Sequence, residues 1–76
     1  MKDLEELAQS NKTWASTRAA MALKFLEMKE SGQIDNSEYK ELLEDLVRTD
    51  SLEVEADDIK MKAMLVSAIS AISKLA

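Results

Sequence analysis

The chain lacks several residue types that usually carry chemistry or stabilise a very small fold. It has no cysteine and no histidine, which excludes disulfides, thiolate metal sites, and the commonest zinc ligand and general base. It has no proline, a single glycine, and one each of tryptophan, tyrosine and phenylalanine. The hydrophobic fraction of 46% therefore comes mainly from Leu, Ile, Met, Val and Ala. This composition favours an all-α fold.

The length of 76 residues predicts one domain over 1–76. A chain this short buries only about 60% of its unfolded surface, so a lone core is marginally stable. Its stability must come from well-packed helices, from self-association or from a partner.

Neither a signal peptide nor a membrane span is evident in the sequence. The first residues, MKDLEELAQ, are charged and lack the apolar stretch of a signal peptide. No apolar run approaches the roughly 18 residues that span a bilayer. The basic amphipathic stretch 59–76 could lie on a membrane surface, but it has few lysines and no aromatic anchor. We therefore expect a cytoplasmic protein in which this stretch is a packing helix.

The first predicted helix covers residues 2–31, because apolar residues recur there at alternating spacings of three and four. Two positions of this seam are polar, Asn11 and Arg18, and the segment SNKT at 10–13 is weak in helix propensity. A break near Thr13 is thus the alternative to one continuous helix. We favour the continuous helix because the heptad phase persists across the segment. The seam consists of Leu4, Leu7, Asn11, Trp14, Arg18, Met21, Phe25 and Met28.

The single glycine marks the end of this first helix. Gly32 tolerates the left-handed conformation that commonly closes a helix. Asp35 and Glu38 then form a predicted capping box, and Ile34 and Tyr39 a predicted hydrophobic staple. The second helix is predicted over 36–48. Residues 49–51 should end it, Leu52 and Val54 should pin the connector to the core, and a third helix should run over 55–75.

The run LKFLEMKESGQIDNSEYKELLEDL at 23–46 resembles the SHOCT-type helical hairpin, a family with a glycine, an aliphatic residue, a capping residue, Glu-aromatic and paired leucines. The matching residues are Gly32, Ile34, Asp35, Glu38, Tyr39, Leu42 and Leu43. The resemblance covers about a third of the chain and implies an oligomerisation or partner-docking element, not a catalyst. In that family the hairpin usually ends the protein, whereas here some thirty residues follow. The overall format is also similar to small phage or prophage helical proteins.

The net charge of −5 is unevenly distributed. Residues 35–58 hold most of the acids and only two bases, whereas 59–76 hold three lysines and no acid. Direct nucleic-acid binding is disfavoured because phosphate contacts need clustered Lys and Arg. The acids at 50–58 lack the spacing and the glycine of an EF-hand. We predict no metal, no cofactor and no catalytic site, so the protein is not expected to be an enzyme.

The main functional hypothesis is a non-enzymatic interaction module in an adaptor, assembly or regulatory role. It would self-associate, most simply as a dimer, through apolar faces of the first and third helices. Methionine-rich helical surfaces adapt readily to partners. The residues expected at this contact are Trp14, Met21, Phe25, Met61, Leu65, Ile69 and Ile72. Intramolecular core is the alternative for all of these, and the better one for Phe25 and Leu65.

The alternative hypothesis is an acidic inhibitor or nucleic-acid mimic that docks on a basic, nucleic-acid-handling protein. Steered acidic docking weakens steeply with ionic strength, whereas apolar association does not. Salt dependence therefore separates the two hypotheses. The acidic face would consist of Glu41, Glu44, Asp45, Asp57 and Asp58.

Overall fold

The computed structural model describes residues 2–48 and 56–75. All regular structure in these residues is helical, which confirms the predicted all-α class, but there are four helices where the sequence predicted three. Predictions for residues 49–55, including the roles of Leu52 and Val54, lie outside the described residues. The helices are α1 (Lys2–Ala8), α2 (Thr13–Glu30), α3 (Asn36–Leu46) and α4 (Ile59–Ser73).

The prediction of one continuous helix over 2–31 is wrong, because α1 ends at Ala8 and α2 begins at Thr13. The chain turns between them through hydrogen bonds from the Gln9 and Ser10 amides back to α1. The physical reason is tertiary packing. By folding back, α1 buries Leu4 and Leu7 to 1% and 3% exposure against α2 and α4, which a straight extension of α2 would leave in water.

The predicted end of the long helix at Gly32 is confirmed. Gly32 has φ of 81°, its amide donates to the Lys29 carbonyl at 3.2 Å, and the Gln33 amide donates to the Met28 carbonyl at 2.8 Å. Those two bonds define a Schellman motif. They satisfy carbonyls at the end of α2 and reverse the chain within a few residues.

The predicted capping box is also confirmed. The Asp35 carboxylate accepts from the Glu38 amide at 2.8 Å, and the Glu38 carboxylate accepts from the Asp35 amide at 3.3 Å. Of the predicted staple pair, Tyr39 belongs to the buried hydrophobic core, and Ile34 is half-buried and packs against that core. Helix α3 ends at Leu46, two residues before the predicted end at 48.

The third predicted helix begins later than expected, at Ile59 instead of 55. Asp58 has an extended backbone and its carboxylate accepts from the Met61 amide at 3.0 Å. A side-chain cap at this position fixes the helix start because it satisfies a donor that lacks an intrahelical acceptor. Residues 56–58 are therefore an extended lead into α4 and not its first turn.

The core lies where α2 meets the other helices. On α2 the buried face contains Ala15, Ala19 and Ala22, each 0% exposed, at a spacing that places them on one side of a helix. The buried face of α2 is thus centred on small residues and not on the predicted seam. Met21 of that seam is exposed and Met28 is half-buried. Because alanines are short, α1 and α4 can approach this side of α2 closely.

The hydroxyl of Tyr39 joins α3 to the C-terminal end of α4. Its side chain is buried and donates to the Ile72 carbonyl at 2.8 Å. Burial, and then the Glu30 carboxylate, raise the pKa of the Tyr39 hydroxyl above its ordinary value. Lys29 lies with its ammonium 5.5 Å from the Tyr39 ring centroid and donates to the Leu75 carbonyl at 3.0 Å. These contacts close one end of the bundle.

Candidate interaction surface

Most of the residues predicted to meet a second copy lie in the core of a single copy. Because one copy already buries most of these side chains, a contact between folded copies has to use the ones that are exposed or half-buried. By exposure, Trp14, Leu65, Ile69 and Ile72 are buried, Phe25 and Met61 are half-buried, and Met21 is exposed.

Trp14 is only 8% exposed, and its polar edge is used to hold the lead into α4. The indole Nε1 donates to the Asp57 carboxylate at 3.1 Å, and the Lys12 ammonium donates to the same carboxylate at 2.9 Å. The hydrogen bonds from Lys12 and from Trp14 lower the pKa of the Asp57 carboxyl. This clasp ties the start of α2 to residues just before α4.

An apolar groove lies beside this clasp, where the end of α1 meets the start of α4. Its volume is about 330 Å³, within the range of ligand pockets. Met64 is 44% exposed on its wall, and the Ser10 hydroxyl donates to the Met61 sulfur at 3.4 Å across it. The groove is lined by Glu6, Leu7, Ser10, Asp58, Lys60, Met61 and Met64. We call this set the methionine groove.

Ile59 is the most exposed large apolar residue among those that the structure describes, at 85%. It lies between Asp58 and Lys60, two residues that line the methionine groove. A side chain of this size in water loses roughly 1.5–3 kcal/mol relative to burial. Ile59 is not among the residues that line the groove, and helix geometry directs it away from Met61 and Met64, so the recess and the protruding side chain lie on different sides of the start of α4.

A second groove, of about 280 Å³, lies between α2 and α3 beside Met21. Met21 is 41% exposed there, but the polar Arg18 side chain shares the lining. The Arg18 guanidinium donates to the Leu46 carbonyl at 2.9 Å and to the Trp14 carbonyl at 3.1 Å. This second groove is therefore more polar in its chemistry than the methionine groove.

The predicted acidic face divides into two groups. Glu41, Glu44 and Asp45 are exposed on α3, and Asp45 lies 3.7 Å from Arg48. Asp57 and Asp58 instead serve the fold, the first in the clasp and the second as the cap of α4. The sequence grouped these five carboxylates by their proximity along the chain. The structure gives Asp57 and Asp58 roles in the fold and pairs Asp45 with Arg48 on the surface.

The sequence had signals for part of this surface. Met61 was among the predicted contact residues, but Met64 was not. Ile59 was not among the predicted contact residues either. The acid directly before an apolar helical run was the signal for a cap at Asp58. Nothing in the local sequence indicates that Trp14 and Asp57 meet, since they are 43 positions apart.

Comparisons of the chain with family models, curated proteins and solved structures found no match. The resemblance of residues 23–46 to a SHOCT-type hairpin therefore stays a prediction. Within residues 2–48 and 56–75, no helix combines the length and the apolar character needed to cross a bilayer.

Proposed function

We propose that this protein is a non-enzymatic interaction module that self-associates through the methionine groove. The observation that carries the proposal is an apolar recess on the surface, walled by Met61 and Met64, in which Met64 is still 44% exposed in a single copy. A two-fold symmetric contact needs one surface that is complementary to itself. The methionine groove meets that requirement when it packs against the same groove of a second copy.

The chemistry of the groove favours an apolar contact. Met61 and Met64 have flexible thioether side chains that adjust to an irregular partner surface. The charged side chains around them include both signs, Glu6 and Asp58 against Lys60, so two copies related by a two-fold axis can place opposite charges opposite each other. The contact is a revision of the one predicted from sequence, since it uses the first and last helices but mostly different residues.

The acidic-inhibitor alternative has less support, because Asp57 and Asp58 already bond within the chain and Asp45 forms a surface ion pair with Arg48. Its remaining face would be Glu41, Glu44 and Asp45 on α3. Docking through these carboxylates should weaken as salt is added, while docking through methionines should not.

The test is Met64→Lys, measured by light scattering and sedimentation over micromolar to millimolar concentrations at low and high salt. We expect the wild type to form a dimer whose dissociation constant changes little with salt. Met64→Lys should raise that constant about tenfold or more. Each two-fold dimer loses two methionine contacts, and burying the 44% of Met64 that is exposed in one copy is worth about 0.7–1.3 kcal/mol each.

Met21→Lys is the matched control, since it makes the same substitution at nearly the same exposure, 41% against 44%, but in the second groove. It should leave the dimer unchanged. If Met21→Lys disrupts the dimer and Met64→Lys does not, the contact lies at the second groove and our assignment is wrong. A wild-type protein that is monomeric at every concentration contradicts self-association itself.

A further inference from the structure

The break between α1 and α2 lacks the features that normally interrupt a helix. Its residues, Gln9-Ser10-Asn11-Lys12, include neither glycine nor proline. Among the described residues only Gly32 has positive φ, so the break uses backbone conformations open to any residue. Lys12 provides no side-chain cap for α2, whereas Asp35 and Asp58 cap the helices that follow them. Nothing covalent in this segment prevents α1 and α2 from joining.

The sequence pattern on both sides of the break fits a single helix. The heptad spacing that includes Leu7 and Trp14 continues through residues 9–12, and Ser and Asn in a helix cost only a few tenths of a kcal/mol each relative to alanine. The bent form is held by small contacts. The Ser10 hydroxyl accepts from the Lys12 amide at 3.1 Å and donates to Met61, and Lys12 pairs with Asp57.

Helix α1 depends on the groove in which it lies. It has seven residues, too few to persist as an isolated helix in water, and it is held by burial of Leu4 and Leu7. It packs on α2 and α4, where the alanine side of α2 allows close approach. Because every copy of the chain carries the same α1, this site on one copy also fits α1 of another.

We propose that α1 is exchanged between two copies of this chain. Residues 9–12 become helical, α1 and α2 join into one helix, and α1 of each copy packs between α2 and α4 of the other. The buried contacts of Leu4 and Leu7 are the same in both forms, so the balance is decided by the hinge and by concentration. The exchange rests on the proposed function only in requiring a second copy. Its contact is the buried site of α1 between α2 and α4, which shares Leu7 and Met61 with the methionine groove but does not require the exposed side chain of Met64.

Thr13→Pro distinguishes the bent form from the joined form. Thr13 is the first residue of α2, where proline is tolerated. Lys12 before it has φ of −89° and ψ of 107°, the extended conformation that a residue preceding proline prefers. In a joined helix, residue 13 would be in the interior, where proline removes a hydrogen bond and clashes with the preceding turn. We expect Thr13→Pro to fold and to raise the dissociation constant of the dimer more than about a hundredfold, since each dimer would carry two such prolines.

Ser10→Ala with Asn11→Ala changes the balance in the opposite direction. It removes the Ser10 contacts that hold the bent form and raises helix propensity at two hinge positions. We expect the dissociation constant of the dimer to fall about tenfold or more. Circular dichroism should show more helix per chain in the dimer than in the monomer. Because Ser10 also lines the methionine groove, it is the gain of helix on dimerisation, and not the affinity alone, that decides the matter if Thr13→Pro fails to fold.

A direct readout is an isotope-filtered NOE experiment on labelled and unlabelled chains unfolded together and refolded. Exchange predicts methyl contacts from Leu4 to Ala68 that cross between copies, a pair that lines a shared groove in one copy and lies outside the methionine groove. If these contacts remain within one chain in the dimer, or if neither hinge variant alters the dimer, the exchange is wrong.

The two self-association proposals fail separately. A dimer that is lost in Met64→Lys and unchanged in Thr13→Pro supports the methionine groove and overturns the exchange. A dimer that is lost in Thr13→Pro and unchanged in Met64→Lys supports the exchange and overturns the groove contact. Monomers at all concentrations, including for the hinge double variant, overturn both.

Discussion

At Gly32 the free-energy cost of a left-handed backbone conformation can be measured without any contribution from side-chain packing. Gly32 has φ of 81°, and a Cβ added there would meet nothing within 4 Å. An L-residue in this left-handed region costs about 1–2 kcal/mol. Replacing glycine also restricts the unfolded chain, which offsets about 0.4–1 kcal/mol. Gly32→Ala should therefore destabilise the protein by about 1 kcal/mol, entirely through the backbone.

The matched control is D-alanine at position 32, introduced by chemical synthesis of the chain. It has the same volume as L-alanine, but the left-handed region is its favoured one, so it should stabilise the protein by about 0.4–1 kcal/mol. Both proteins are compared with the wild type by urea and thermal unfolding, where 1 kcal/mol moves the midpoint temperature by about 4–8 °C in a domain of this size. If both alanines change stability in the same direction, the Schellman turn is not what Gly32 provides.

Two further substitutions test contacts that join distant parts of the chain. Tyr39→Phe removes the buried hydrogen bond to the Ile72 carbonyl. That carbonyl also accepts from the Leu75 amide, so urea unfolding should show a loss of only about 1 kcal/mol, and a loss near 3 kcal/mol would contradict this reasoning. Asp57→Asn tests the clasp through pH. Because the folded pKa of Asp57 is lowered, its contribution to stability is present above the ordinary aspartate pKa of about 3.9 and disappears as pH falls through the folded value. The variant should lack this acid-dependent part of the urea midpoint and should alter Trp14 emission, and an unchanged pH profile would refute the role of the clasp.

The turn between α2 and α3 could be predicted from sequence because its physics is local. Gly32, Asp35 and Glu38 act on backbone groups a few residues away, and the bonds they make are those that their spacing indicates. The same locality explains the cap at Asp58, where an acid precedes an apolar helix. In these places the residue type alone nearly determines the conformation.

The break at residues 9–12 could not be predicted in this way. Its local sequence permits a helix, and the bent form is favoured by burial of Leu4 and Leu7 against α4, more than fifty residues later in the sequence. Such tertiary contacts override helix propensity. The clasp of Asp57 with Lys12 and Trp14 belongs to the same class.

The candidate contact surface shows the same division between local pattern and tertiary packing. Heptad spacing indicates that Trp14 and Ile72 lie on apolar helix faces, but it does not indicate which of those faces another part of the same chain covers. Within one copy, α1 covers part of the apolar faces of α2 and α4, and it reaches that position because the chain bends at residues 9–12. The question of whether two copies associate is therefore linked to that bend. When the hinge is bent the chain satisfies its own core, and when the hinge is straight it needs the α1 of a second copy to do so.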